Sequence, residues 1–209
     1  MDSFRLSLAV LCAVMLMHAT SVYAEEGGLR AIDLDAKSMT LDRKSNTTTF
    51  TTLRITQGKV VIQAARATVR GFNSPRSDWQ LSGTLSIRID SAVIHAEQGS
   101  FAFSNNQLIS GKLSGNPAVF EELMPENKDK GPVRGTAHNI YYDNTAGTVR
   151  MEGGAAFTVG KNEMKGCDLI YDLKLERVTS GSSDCDKPFT ITIVPSEKKP
   201  PAKERSSSP

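Results

Sequence analysis

Two acidic residues near the start of the strand-rich region have the spacing of a catalytic pair. Asp33 and Asp35 stand two positions apart, so on a β-strand both carboxylates would point to one face and could act together as acid and base. They alternate with Ile32 and Leu34. This alternation is typical of a strand with an apolar inner face and a solvated outer face, and it favours a structural role for both aspartates.

The histidines give no catalytic or metal-binding motif. His95 occupies a generic polar position, and His138 has no nucleophile or metal ligand at motif spacing. The third histidine, His18, lies in the N-terminal segment that is expected to be cleaved, and the remaining two are too few for a metal site. No Ser-His-Asp order, glycine-rich phosphate loop or Cys-His pair is present. We therefore predict a protein that is not an enzyme and that holds neither a metal nor a cofactor.

The charge balance excludes one class of partner. The chain has 25 Lys and Arg against 23 Asp and Glu, and it has no basic run with interleaved aromatic residues. Nucleic-acid binding depends on such a basic surface, so we predict no nucleic-acid partner.

The N-terminus has the features of a signal peptide. Arg5 precedes an apolar run from Leu6 to Met17, and small residues lead to a cleavage site after Ala24. The apolar run is too short to span a bilayer as a helix, which needs about 20 residues. We predict a cleaved signal peptide (residues 1–24), one domain (residues 25–195) and a disordered tail (residues 196–209), because the tail offers little apolar surface.

Two cysteines, Cys167 and Cys185, follow the signal peptide. An even number of cysteines in an exported chain favours a disulfide over a metal or redox pair. Their midpoint is Glu176, in a polar segment between the apolar runs at Ile170 and Val178. An antiparallel hairpin centred there would place the two cysteines opposite each other, so we predict a Cys167–Cys185 disulfide.

The apolar residues recur at every second position along most of the chain, which predicts an all-β fold. No helical period of 3.6 persists for more than two turns. Examples of the two-residue period are Leu85, Ile87 and Ile89; Ala155, Phe157 and Val159; and Phe189, Ile191 and Ile193.

An internal repeat refines this prediction. Residues 61–69 align without gaps on residues 93–101, and the theme returns at 133–143 and 164–172. Shorter strands that end in glycine, such as 108–111 and 149–153, are expected between the copies. Small residues recur where a strand must bend sharply to start the next layer. Stacked repeats with one apolar face each predict a rolled β-sandwich, or β-jelly-roll, that is open at both ends.

Three segments resemble the OstA-like β-jelly-roll family, which includes periplasmic proteins that carry lipopolysaccharide (LPS) to the outer membrane. They are residues 31–58, which contain Ile32-Asp33-Leu34-Asp35; residues 117–142, which begin Pro117-Ala118-Val119-Phe120; and residues 153–196, which begin Gly153-Gly154-Ala155. Residues 77–115 look like an additional repeat relative to the shortest members. The resemblance implies a periplasmic protein that binds LPS in an apolar groove and forms part of a bridge from the inner to the outer membrane.

Seven large apolar residues at inward strand positions are the candidates for contact with lipid. The resemblance places Ile32, Phe120 and Tyr142 at positions that face acyl chains, and flexible thioethers suit an irregular apolar ligand. We expect the whole set to lie near the seam of the rolled sheet. The alternative for each residue is an ordinary place in the core. The predicted lipid-binding residues are Ile32, Phe120, Ile140, Tyr142, Met151, Phe157 and Met164.

The resemblance also implies partners. They are LPS itself, through its lipid A acyl chains, an inner-membrane-anchored jelly-roll protein, and the jelly-roll domain of an outer-membrane translocon. The first strand, expected at 32–36, and the last, expected at 189–194, have few guarding residues, which favours head-to-tail self-association. The alternative function is a periplasmic carbohydrate-active β-solenoid enzyme, which would need charged residues clustered on one outer face.

Overall fold

The computed structural model describes residues 31–72, 74–122, 131–180 and 188–195. Within these ranges every regular element is a β-strand, which confirms the all-β prediction. The strands are β1 (Asp33–Asp42), β2 (Thr47–Gln57), β3 (Val60–Arg70), β4 (Arg76–Ile89), β5 (Ala92–Ser104), β6 (Gln107–Glu122), β7 (Val133–Asp143), β8 (Thr148–Val159), β9 (Asn162–Asp172), β10 (Arg177–Ser180) and β11 (Thr190–Thr192).

The strands form one antiparallel sheet in sequence order. Each strand from β1 to β10 pairs with the next, and β11 pairs with β9. Three of the turns use the same device: the carboxylates of Asp42, Asp143 and Asp172 each accept hydrogen bonds from the backbone N–H groups two and three residues later. Aspartate favours such turns because its short side chain reaches the backbone two residues on.

Register shifts divide the long strands into two layers. The shifts in β3 to β8 fall at matching places, so they form a line across the sheet that we call the crease. A bulge bends a strand without ending it. On one side of the crease lies the first layer, whose strand halves carry Trp79, Tyr142 and Tyr171. On the other side lies the second layer, whose halves carry Ile55 and Phe120.

The crease confirms the expected bend at Gly153 and corrects the expected strand ends. Residues 108–111 and 149–153 do not form short strands of their own, because β6 and β8 continue through them into the other layer. The shift in β8 lies between Glu152 and Ala155, where Gly153 and Gly154 both have positive φ angles that favour glycine. Thr52 of β2, also with positive φ, has the corresponding place without a glycine.

The internal repeat corresponds to two strands of the sheet. Val61 of β3 and Val93 of β5 both pair with Arg88 of β4, and Val69 and Phe101 both pair with Trp79. The two copies therefore flank β4 in the same register. The repeat predicted from sequence is confirmed as the hairpin period of a rolled sheet that is open at its ends.

The core is a set of inward rows that cross the strands. One row runs the full length of the second layer, with each residue the register partner of the next. The isoleucine and phenylalanine side chains of this row are buried from Ile55 to Phe157, and each contributes about 1.5–3 kcal/mol. The row is Leu34, Ile55, Ile62, Ile87, Ile94, Phe120, Gly135, Phe157, Met164 and Ile191.

Several predicted boundaries differ from the structure or lie outside it. The first strand is longer than expected and the last is shorter. The signal peptide, residues 1–24, and the tail, residues 196–209, lie outside the described residues, so the division into domains stays a prediction. In the described part of the chain, no helix has the length and apolarity to cross a membrane.

Candidate functional site

Three of the predicted lipid-binding residues lie in the second-layer row. Phe120 and Phe157 are fully buried and flank Gly135, with ring centroids 6.4 Å apart, and Met164 is half-buried next to Phe157. Gly135 leaves room here, because a methyl group at its position would collide with the sulfur of Met151. The row is therefore continuous and apolar, and it becomes exposed only toward the sheet edges.

Ile140 and Met151 lie elsewhere. They are register partners in the first layer, both fully buried, and they stand one row from the crease. The expectation that all seven residues lie near the seam is wrong for these two. The two-residue period identifies the face of a strand on which a residue lies, but it does not give its distance from the bend.

Tyr142 lies near the end of β7 in the first layer and carries a polar hydroxyl group. Its side chain is buried, and its hydroxyl donates a hydrogen bond to Asn144 Oδ1 at 2.7 Å. Burial raises the pKa of Tyr142 to about 12, and the nearby charge of Asp143 contributes. Asn144 in turn donates to the backbone oxygen of Leu108 at 2.9 Å, which ties neighbouring strands together.

Ile32 lines a cavity at one end of the roll. The cavity has a volume of about 560 Å³, and Leu34, Phe72, Trp79 and Phe103 are among its apolar walls. The ring centroid of Trp79 lies 5.9 Å from that of Phe72 and 5.4 Å from that of Phe103. These aromatic residues were not among the lipid-binding residues predicted from sequence. Their common signal is that each stands near the end of a strand or in the adjoining turn.

A second aromatic cluster joins the layers toward the other end. The ring centroid of Tyr171 lies 5.5 Å from that of Phe120 and 5.1 Å from that of Phe157. The Tyr171 hydroxyl donates to Glu122 Oε2 at 2.6 Å. Burial raises the pKa of Tyr171 well above its ordinary value, and the hydrogen bond to Glu122 adds to the effect.

The layers are offset along the sheet. Ile32, just before β1, shares its cavity with Trp79 of β4 and Phe103 of β5, and Glu122 of β6 contacts Tyr171 of β9. Far from the crease, a second-layer strand half therefore faces the first-layer half of the strand that comes three or four strands later in the sequence. Each layer extends past the other at one end.

The overhanging ends are apolar and exposed. At the first end, Met39 and Leu41 of β1 are 55% and 50% exposed. At the other end, Ile191 of β11 is 54% exposed and Ile193 is 72% exposed. Met39 and Ile191 continue inward rows of the core, so the apolar interior reaches both edges of the sheet.

The polar candidates do not come together. Asp33, Asp35, His95 and His138 are all exposed. Asp33 and Asp35 share the outer face of β1, whereas His95 and His138 belong to β5 and β7. Across the ranges that the structure describes, no three His, Cys, Asp or Glu side chains are grouped so that they could hold a metal ion.

The hairpin between β9 and β10 is centred differently from the prediction. Asp172 pairs with Arg177 and Ile170 with Thr179, so the centre lies between Lys174 and Leu175 rather than at Glu176. Strand register alone therefore does not bring Cys167 to Cys185. Cys185 lies outside the described residues, and the disulfide stays a prediction.

The fold places the protein in the class of open β-rolls whose apolar interior reaches both edges of the sheet. Residues 33–177 match the family model described as LptA/(LptD N-terminal domain) LPS transport protein. Because the match covers most of the sequence, the chain belongs to this family, and a role in LPS transport follows. The resemblance inferred from the sequence is confirmed.

The chain is also similar to individual proteins. The chain is 26% identical over 195 residues to the lipopolysaccharide export system protein LptA of Escherichia coli K12, covering 92% of this chain and 88% of that one. LptA of Shigella flexneri matches to the same extent. Among solved structures, LptH of Pseudomonas aeruginosa, the LptA-homologous periplasmic component of its LPS transport device, has a TM-score of 0.42 and 18% identity over 79% of this chain and 96% of its own.

Proposed function

We propose that this protein is a periplasmic carrier that binds the acyl chains of LPS between its two layers and passes the lipid from the inner to the outer membrane. The observation that carries the proposal is the second-layer row, which is apolar from Leu34 to Ile191, with Leu34 half-buried at one edge and Ile191 exposed at the other. Family membership supports the same role.

The energetics of an acyl chain require such a surface. Burial of each methylene is worth about 0.8 kcal/mol, so a twelve-carbon chain left in water costs on the order of 10 kcal/mol. A molecule with several such chains needs cover along the whole path. A uniform apolar row offers similar environments at successive positions, so a chain can move along it without a large barrier.

The layer offset supports head-to-tail assembly. The overhanging first layer of one copy, with Met39 and Leu41, has the shape and apolarity to cover the overhanging second layer of the next, with Ile191 and Ile193. Because the two edges differ, this joining is heterologous and extends into a filament. The same edges would accept the inner-membrane-anchored jelly-roll protein at one end and the jelly-roll domain of the outer-membrane translocon at the other.

Site-specific photo-crosslinking to purified LPS tests the ligand. A photoreactive residue at half-buried Ile32 or Met164 is expected to crosslink LPS, whereas one at the outward neighbours Asp33 or Lys165 is not. The two residues of each pair are neighbours in sequence, and their side chains lie on opposite faces of the sheet. Equal crosslinking from both faces, or no capture of LPS by the wild type, would contradict the proposal.

Light scattering over a concentration series tests the assembly. We expect the average mass to rise with concentration in the wild type and to stay near that of one copy when Ile191 and Ile193 are both changed to lysine. Thr192→Lys, on the opposite face of β11, is the control. A wild type that remains monomeric at high concentration would refute self-association.

A further inference from the structure

A buried glutamine links the free edges of the two layers. We call the side opposite the crease, where the turns of both layers meet, the mouth. Gln57, the last residue of β2 in the second layer, is only 8% exposed. Its Nε2 donates to the backbone oxygen of Asn106 at 2.6 Å, and its Oε1 accepts from the backbone N–H of Leu108 at 2.9 Å. Asn106 and Leu108 belong to the first layer, so Gln57 spans the mouth.

A second link spans the mouth farther along. Glu122, the last residue of β6 in the second layer, is 7% exposed and accepts the hydrogen bond from Tyr171 of the first layer. Gln57 and Glu122 occupy the same rim row, with one residue each from β3, β4 and β5 between them. Four strand spacings separate the two links by about 19 Å.

The rim between the links is apolar. Its three residues are Val60, Ile89 and Ala92, all buried or half-buried. Polar side chains thus close the mouth at two points, and the second-layer rim between these points presents apolar side chains.

We propose that these two links are clasps, and that acyl chains enter the roll sideways through the rim segment at Val60, Ile89 and Ala92 when the clasps release. The inference rests on the proposed function, since the interior must open to admit lipid. Phe120, Ile140, Met151 and Phe157 are fully buried, and the closed roll leaves no room beside them.

The chemistry of the clasps suits release. When the mouth opens, the groups of Gln57 and Glu122 become accessible to water and exchange their protein hydrogen bonds for hydration, so no polar group is left unsatisfied. The crease cannot part in this way, because the strands from β1 to β9 run continuously across it.

The second layer is the side that moves. On the first-layer side, the oxygen of Leu108 accepts from Asn144, which also holds Tyr142, so the rim there is braced by its neighbours. On the second-layer side, the β2–β3 hairpin ends at Gln57 and Val60 in a two-residue turn. Lys59 in this turn ties it to the next hairpin, because its Nζ lies 2.6 Å from Asp90 Oδ2 and its backbone oxygen accepts from the Asp90 N–H. These bonds lie within the second layer, so we expect the β2–β3 and β4–β5 hairpins to swing outward together.

Loosened variants test the clasps. Tyr171→Phe removes one hydrogen bond and should raise the rate of LPS capture about two- to tenfold. Gln57→Leu removes two hydrogen bonds and should raise this rate about five- to a hundredfold. Glu122→Gln keeps an acceptor for the Tyr171 hydroxyl and should load close to the wild-type rate. Stopped-flow fluorescence with acyl-labelled LPS gives the rates, and thermal melts identify any variant that fails to fold.

A locked variant tests the direction of entry. Gln57→Cys with Asn106→Cys, bridged by a short bifunctional maleimide, should load at least tenfold more slowly than the same variant treated with a monofunctional maleimide. Loading at equal rates in these two samples, or unchanged rates in folded Gln57→Leu and Tyr171→Phe, overturns the proposal.

Hydrogen exchange separates this inference from the proposed function. If the wild type captures no LPS, the proposed function fails, and with it the lipid portal. The clasps are then judged alone: faster amide exchange around residues 57–60 and 105–108 in Gln57→Leu than in wild type supports them, and unchanged exchange overturns them.

Discussion

The replacement of Gly111 by alanine is expected to destabilise the protein through a single contact. Gly111 on β6 pairs with Phe101 on β5, and an added Cβ would come within 2.7 Å of the Phe101 Cε1 atom and 2.8 Å of its Cδ1 atom. Phe101 is 2% exposed, and its other register partner is Trp79 on β4, so the ring cannot move aside without disturbing the first-layer core.

The expected magnitude follows from two opposing effects. Overpacking a core by one methyl group costs about 1–3 kcal/mol. The smaller backbone entropy of alanine in the unfolded chain offsets about 0.4–1 kcal/mol of this. The net loss should be about 1–2 kcal/mol, which lowers Tm by about 2–6 °C in a domain of this size.

A second glycine provides the matched control. Gly166 on β9 is also within a strand, and an added Cβ there would come no closer than 3.4 Å to Phe189 Cδ2, an ordinary contact. Gly166→Ala should therefore be neutral or slightly stabilising. Urea unfolding followed by the fluorescence of Trp79, the only tryptophan, measures both variants. A Gly111→Ala protein at least as stable as wild type would show that Phe101 does not pack against this strand as described.

Further predictions concern covalent, titratable and core groups. Mass spectrometry should show Cys167 and Cys185 joined, a link worth about 3 kcal/mol in the chain-entropy model, and alkylation of both thiols without reductant would contradict it. Burial raises the pKa of Tyr142 to about 12, so between pH 10 and pH 12 this side chain ionises only in the unfolded chain. The neutral Tyr142 should therefore contribute about 2–3 kcal/mol to the free energy of unfolding below pH 10, and this contribution should be lost as the pH rises from 10 to 12. Urea titrations at these pH values should find a smaller loss in Tyr142→Phe than in wild type. Phe120→Asp should cost at least about 3 kcal/mol in circular-dichroism melts because it buries a charge, whereas Ile32→Asp, at the half-open end, should cost about 1 kcal/mol or less.

The faces of the strands could be predicted from sequence because the side-chain period of a strand is two. Leu85 and Ile87 are buried while Arg88 is exposed, as their alternation indicates, and the 32-residue repeat corresponds to two strands around β4. Local chemistry therefore specifies which residues point inward. The sharp bend expected at small residues is confirmed at Gly153, but the strand continues through it and does not end there.

The positions of Gln57 and Glu122 could have been recognised from the sequence. Gln57 follows Leu53 and Ile55 on the same face, and Glu122 follows Phe120, so each is a polar residue at the last inward position of an apolar strand. Such a position lies at the rim, where a side chain can reach a partner on the other layer. The partners themselves could not be predicted, because they depend on how far one layer is offset from the other.

That offset links the closed interior to the open ends. Near the crease the layers are in step: Leu85 in the second-layer half of β4 lies against Gly99 of the adjacent β5. At the mouth the displacement has grown to about three strands, as Glu122 and Tyr171 show, which corresponds to roughly 14 Å. The two layers therefore cross at an angle, as twisted sheets do when they pack. A twisted roll of finite length must leave one layer uncovered at each end, and the uncovered faces are inward faces, hence apolar. The same twist that fills the middle of the roll with Phe120 and Met151 exposes Met39 at one end and Ile191 at the other. A second copy placed with the same twist would cover both, so the geometry that closes the core also creates the surface for extending it.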